Sequence, residues 1–119
     1  MNPDERIRRL ADGFSAVAGM LTAIGDETRQ HLILEMLKMG KCSGVRVAEI
    51  AEKTNLSRPA VSHHLQIMKN AGIVRVRKEG TKNYYYLDPA AEALDLLIST
   101  LQLAKDITGT LPDRTNENN

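Results

Sequence analysis

The sequence contains one cysteine, Cys42, so no disulfide can close within the chain, and a reducing, cytoplasmic setting is expected. No apolar run approaches the roughly 18 residues that span a bilayer. The first residues, MNPDERIRRL, carry acids early and are followed by no apolar stretch or cleavage site. Neither a secretory leader nor a membrane contact is therefore expected. The chain has no glycine-rich phosphate loop and no zinc-hydrolase signature, so an enzyme reading finds no catalytic residues to rest on. Net charge is nearly absent as well, at +1, and composition alone does not announce a nucleic-acid partner.

What is present is the composition of a globular protein: 119 residues, 42% hydrophobic and 26% charged. That length suits one domain, expected over residues 1–107, with a disordered tail over 108–119, where GTLPDRTNENN offers little to bury. The charge is unevenly distributed. Between Ser57 and Lys82 the bases Arg58, Lys69, Arg75, Arg77, Lys78 and Lys82 face one acid, Glu79, whereas acids predominate from Asp88 onward. A basic segment in a near-neutral chain is a candidate footprint for phosphate, although a solvated surface would show the same excess.

Periodicity places the elements. Ile7, Leu10, Phe14, Val17, Leu21 and Ile24 recur at intervals of three and four, a heptad seam suited to packing against another helix. Gly25 ends that helix and Asp26 caps a second, about Glu27–Met39, with Leu32, Ile33, Met36 and Leu37 as its buried face. After the polar loop KCSGVR, VAEIAEKT forms a short third helix, and NLS turns into a fourth capped by Ser57, with Pro59 in its first turn. Val61, Leu65 and Met68 form the buried stripe of that fourth helix. The period then changes from helix to strand: IVRVRK and NYYYL are the arms of a hairpin that turns at Gly80. A last helix opens at Pro89, with Leu94, Leu97, Ile98, Leu101 and Ala104 along one side. The predicted class is mostly α with a β-hairpin wing, in the order of four helices, two strands and a helix. This is a winged helix-turn-helix.

The adjacent His63 and His64 in SRPAVSHHLQ raise the question of metal or proton chemistry. Neighbours on a helix point about 100° apart, so the two cannot share a ligand site. No Cys, Asp or Glu lies on this helix to complete a metal set or orient a base. His64 flanks the buried stripe and reads as a packed, hydrogen-bonded structural histidine, while His63 faces outward with Arg58, Ser62 and Gln66. That outward set has hydrogen-bonding groups and no carboxylate, as base edges and phosphates in a major groove require.

LTAIGDETR together with VAEIAEKTNLSRPAVSHHLQIMKNAGIVRVRKEGTKNYYYL resembles the ArsR/SmtB family of bacterial winged-helix repressors, over about residues 15 to 107. The specific part is SRPAVSHHL followed by AGIV and a basic wing; Glu27 stands where a proline is common. The resemblance implies a homodimer built from the first and last helices, and paired recognition helices on operator DNA. The apolar excess of the terminal helices also favours a dimer, through Ile7, Leu10, Phe14, Val17, Leu21, Leu94, Leu97 and Leu101. The candidate contacts to double-stranded DNA are Ser57, Arg58, Ser62, His63, Gln66 and Lys69 on the fourth helix, and Arg77, Lys78, Thr81 and Lys82 on the wing.

Many relatives in this family sense metal, but here Arg46 and Ala48 occupy the positions of a Cys-x-Cys pair, and the last helix has no histidine. No metal or cofactor is expected, and the effector, an unidentified small molecule, is left open. Tyr84, Tyr85 and Tyr86 raise the rival of base stacking on single strands, but alternation sends Tyr85 to the opposite face from its neighbours, which favours cross-strand packing. Two other readings remain: a winged-helix protein-interaction module, and an atypical metal or redox sensor using His31, Cys42 or the terminal carboxylates.

Overall fold

The computed structural model describes residues 2–112. Its elements are α1 (Pro3–Ile24), α2 (Glu27–Met39), α3 (Val47–Thr54), α4 (Arg58–Asn70), β1 (Val74–Glu79), β2 (Lys82–Leu87) and α5 (Glu92–Gly109). This is the expected winged helix-turn-helix. The predicted caps form: the Asp26 carboxylate accepts from the Arg29 amide at 3.0 Å and Ser57 Oγ from the Ala60 amide at 3.2 Å. Each satisfies an otherwise unpaired donor of a first helical turn, worth about 1 kcal/mol. Asn55, at φ +59°, makes the tight turn between α3 and α4.

Two details of α5 depart from expectation. Pro89 lies in the preceding turn, where the Ala90 amide bonds the Asp88 carboxylate at 2.9 Å, and the helix begins at Glu92. It then runs to Gly109, past the boundary expected at residue 107, while the expected disordered tail lies, from residue 113 onward, outside the described residues.

Two apolar clusters hold the chain together. The larger gathers Leu32 and Met36 of α2, Ile50 of α3, Val61, Leu65 and Met68 of α4, and Val45 and Val74 at the root of the wing. Leu37, expected in this core, is instead 60% exposed, because it lies about 100° around α2 from Met36. The smaller cluster joins α1 to α5 through Val17, Met20 and Leu97. The two helices cross closely at Gly13, where an added Cβ would stand 2.7 Å from Thr100 Oγ1.

The hairpin pairs Val74 with Leu87 through Glu79 with Lys82, leaving Gly80 and Thr81 as its tip; Gly80 takes a φ of +64°, as a two-residue hairpin loop demands. A short bridge fastens the wing to the loop before α3: the Val45 and Tyr85 amides and carbonyls exchange bonds of 2.8 Å in both directions. Gly44 makes this approach feasible. Its φ is +102°, and a Cβ there would meet the Tyr84 Cβ at 3.0 Å.

Candidate nucleic-acid interface

The fourth helix buries Val61, Leu65 and Met68 completely, which fixes its rotation about its own axis. At about 100° per residue, the opposite side carries Pro59, His63, Gln66 and Asn70, with Arg58, Ser62 and Lys69 on the flank nearer the wing. Ser57, Arg58, Ser62, His63, Gln66 and Lys69 are all exposed. Gln66 Nε2 donates to Asn70 Oδ1 at 3.0 Å, which holds the amide along the outer face.

The wing tip stands beside the start of this helix. Arg58 and Ser62 share one shallow groove with Thr81 and Asn83 of the hairpin and with Arg46, Val47 and Ala48 at the start of α3. No acidic side chain lines it. The groove therefore joins two predicted helix residues to one predicted wing residue. It adds Arg46 and Asn83, which sequence reasoning did not select. The Arg46 guanidinium lies 5.6 Å from the Tyr84 ring centre, and its amide is bonded by Glu49 Oε1 at 3.2 Å. The signal for Arg46 was its position: a base directly before the first helix of a helix-turn-helix stands where that helix meets a nucleic-acid backbone. Lys69, eleven positions beyond Arg58, borders a different groove, formed with Arg75, Asp88 and Glu92.

Arg77, a candidate phosphate contact, is exposed and already engaged within the chain. Its Nε and Nη2 donate to the Ser43 carbonyl at 3.3 and 3.2 Å, Nη1 donates to Glu79 at 2.8 Å, and the guanidinium lies 4.5 Å from the Tyr84 ring centre. With three of five donors engaged and one ring face covered, Arg77 braces the wing against the loop before α3. The same contact holds the Glu79 carboxyl below its ordinary pKa. Lys78, Thr81 and Lys82 are exposed, and no side-chain hydrogen bond or ion pair engages them among the described residues. Arg75 is paired with Asp88 at 3.8 Å at the wing root. Tyr85 packs into the larger cluster.

The adjacent histidines divide as expected. His63 is exposed, whereas His64 is half-buried and its Nδ1 lies 3.3 Å from Arg29 Nη1. Burial lowers the His64 pKa; Arg29 and His63 lower it further and Asp26 opposes them. Arg29, buried within the fold, was not foreseen as a structural residue. Its signal was spacing, since it precedes the buried Leu32 and Met36 by three and seven positions on the same helical face.

Among the expected dimer residues, Val17 and Leu97 are corrected. They are buried against each other's helices within one chain, at 1% and 4% exposure, and so have little surface to offer a partner. Ile7, Phe14, Leu94 and Leu101 are exposed, Leu10 and Leu21 half-buried, and Ile98 joins Leu94 and Leu101 in an uncovered i, i+4, i+7 stripe. Cys42 is exposed and free, and among the described residues no three His, Cys, Asp or Glu side chains come together as a metal set. No described helix is long and apolar enough to cross a membrane.

Residues 26–76 match the family model for bacterial regulatory proteins of the arsR family. An uncharacterized HTH-type transcriptional regulator of Methanocaldococcus jannaschii is 40% identical over 62% of this chain and 80% of its own length. The transcriptional repressor SdpR of Bacillus subtilis is 41% identical over 56% of this chain and 69% of its own. The solution structure of a homodimeric winged helix-turn-helix DNA-binding domain from Mycobacterium bovis aligns at a TM-score of 0.53 and 23% identity, covering 91% of this chain and 94% of that one.

Proposed function

The chain belongs to the arsR family of bacterial regulatory proteins and is a DNA-binding transcriptional regulator, and on that premise we propose that it works in the cytoplasm as a homodimeric repressor of double-stranded DNA. The observation that carries this reading is the acid-free groove shared by Arg46, Arg58, Ser62, Thr81 and Asn83, beside an outward helix face of Gln66 and His63. Arg46, Arg58, Lys78 and Lys82 supply charge to the phosphates, while Ser62, His63 and Gln66 present the donors and acceptors that read base edges. Ser57 holds the helix start in place for both.

One such face reads only a few base pairs. Pairing two copies through Ile7, Phe14, Leu94, Ile98 and Leu101 would cover the apolar stripe and direct two recognition helices at an inverted repeat, with half-sites about one helical turn apart. The Mycobacterium bovis domain is itself a homodimer, which supports a two-fold pairing without naming its surface. An organic effector would fit the apolar cleft of about 290 Å3 between Met20, Ile24, Ile33, Leu37, Leu87 and Leu94, which touches the dimerising helices and the wing root together.

The test is fluorescence anisotropy on DNA from upstream of the protein's own gene, beside scrambled DNA, across a salt series. The expected result is sequence-preferring binding that weakens steeply with salt as counterions are released. No binding at low salt would reject the reading and favour a protein-interaction module on the same fold.

A further inference from the structure

Arg29 is the only buried charged residue among the described residues, at 8% exposure, and its guanidinium reaches from α2 to both α1 and α4. Nε donates to the Ala23 carbonyl at 2.7 Å and Nη2 to the Thr22 carbonyl at 3.1 Å, both in the last turn of α1. With Gln30 Nε2, which donates to the Ile24 carbonyl at 2.7 Å, α2 thus satisfies the carbonyls that the end of α1 leaves unpaired. The remaining nitrogen, Nη1, lies 3.3 Å from His64 Nδ1 on α4.

A guanidinium has donors only, so this contact requires a lone pair on His64 Nδ1: a neutral imidazole with its proton on Nε2. A proton added to Nδ1 turns the acceptor into a donor and sets a second cation against the first. The charged and titratable groups facing His64 are Arg29 and the capping Asp26 of α2, and His63 on α4 itself; α1 contributes backbone carbonyls. Asp26 is 3.9 Å from Arg29 and its side chain is 39% exposed, so much of its field is spent in water.

We propose that Arg29 is a positioning residue which brackets α1 to the recognition helix through neutral His64, and that a proton on His64 opens the bracket and weakens DNA binding. The second half rests on the DNA-binding reading above; the first does not. α1 carries part of the apolar dimer stripe and α4 carries the DNA contacts. A change in the angle between them alters the separation of the two recognition helices in a dimer, on which simultaneous docking depends. The sign follows from burial. His64 titrates below the ordinary histidine pKa, so the bracket is intact above about pH 6.5 and is lost as pH falls through the lower value.

The test measures DNA affinity of the full chain from about pH 8 to about pH 5 at fixed ionic strength, spanning the histidine range, beside His64→Asn. Asparagine keeps an acceptor oxygen near the place of Nδ1 and does not titrate. His63 and every other titratable group are common to both proteins, so the ratio of the two Kd values isolates His64. We expect wild type to weaken relative to His64→Asn by about three- to tenfold on acidification, one pKa unit between free and bound protein being worth about tenfold. A ratio that is constant with pH overturns the switch.

An NMR titration of the DNA-free wild type decides the bracket without a variant. The amide signals of Thr22, Ala23 and Ile24 should move with the His64 midpoint, and that midpoint should lie below the ordinary histidine value. Amides that stay still while His64 titrates overturn the bracket. Failure to bind DNA at any pH would reject the DNA-binding reading and with it the switch, and the NMR result would still decide the bracket.

Discussion

Replacing Gly13 and Gly19 by alanine, one at a time, sets helix propensity against packing within α1. In a helix interior, alanine is favoured over glycine by about 1 kcal/mol, because glycine loses more backbone entropy. An added Cβ at Gly19 meets nothing within 4 Å, so Gly19→Ala should realise that gain. At Gly13 the same Cβ would stand 2.7 Å from Thr100 Oγ1 and 3.0 Å from its Cγ2. Thr100 is buried, at 4% exposure, and its branched side chain has few rotamers into which to retreat. Spreading α1 from α5 should cost about 1–3 kcal/mol, as overpacking does. Set against the propensity gain, this leaves Gly13→Ala between neutral and about 2 kcal/mol destabilised, and below Gly19→Ala by about 1–3 kcal/mol. Thr100→Ala removes both clashing atoms. The Cβ of residue 100 remains, 3.3 Å from the added one, so in that background Gly13→Ala should range from neutral to about 1 kcal/mol stabilised, and the difference from the wild-type background is a coupling energy a double-mutant cycle can read. The assay is urea unfolding followed by far-UV circular dichroism at one protomer concentration, since association would add a mass-action term. Equal stabilisation by Gly13→Ala and Gly19→Ala in the wild-type background would refute the close crossing of α1 and α5.

Lys78→Ala and Lys82→Ala should each lower the salt slope of DNA binding by about 1 and leave sequence preference unchanged, while Gln66→Ala should alter preference at one position of each half-site. Arg77→Ala should differ from both lysine variants by also lowering stability by about 1 kcal/mol, because it removes the bonds to the Ser43 carbonyl and the cover over Tyr84; urea titration separates the two effects. Ile98→Glu, at a position 58% exposed, should leave the far-UV spectrum unchanged and convert a dimer to monomers by light scattering; a dimer that persists would move the interface elsewhere. Gly44→Ala should destabilise by about 1–3 kcal/mol, since it combines a φ of +102° with a 3.0 Å approach to the Tyr84 Cβ, and a neutral result by thermal unfolding would remove the strain argument.

Features that depend on neighbours along the chain were legible in the sequence, and those that depend on distant partners were not. The helix-turn-helix could be read because its information is local: the Ser57 cap, the Val61–Leu65–Met68 stripe and Gly80 at the hairpin tip each act within a turn or two. The same locality misled in three places. A heptad seam in α1 marks positions that face another helix without saying which one. Val17 therefore read as a dimer residue although α5 of the same chain covers it. Leu37 read as core because it adjoins Met36, and only the arrangement of α3 and the wing around α2 decides which of the two is covered. Arg77 read as a wing contact to DNA with no sign of its bracing role, because the Ser43 carbonyl that engages it lies 34 positions away.

Arg29 and His64 carry this further, at 35 positions apart. A buried arginine is tolerable only where fixed acceptors replace its water, and those acceptors are backbone carbonyls of α1 together with one histidine nitrogen. Backbone carbonyls belong to every residue and leave no mark in composition. The choice of histidine at position 64 is the part that sequence could express, and it reads there as a packed, hydrogen-bonded structural residue whose partner the sequence does not name. In the fold that histidine also meets the guanidinium that ties the end of α1 to the recognition helix, so a packing residue and a candidate proton sensor occupy one position.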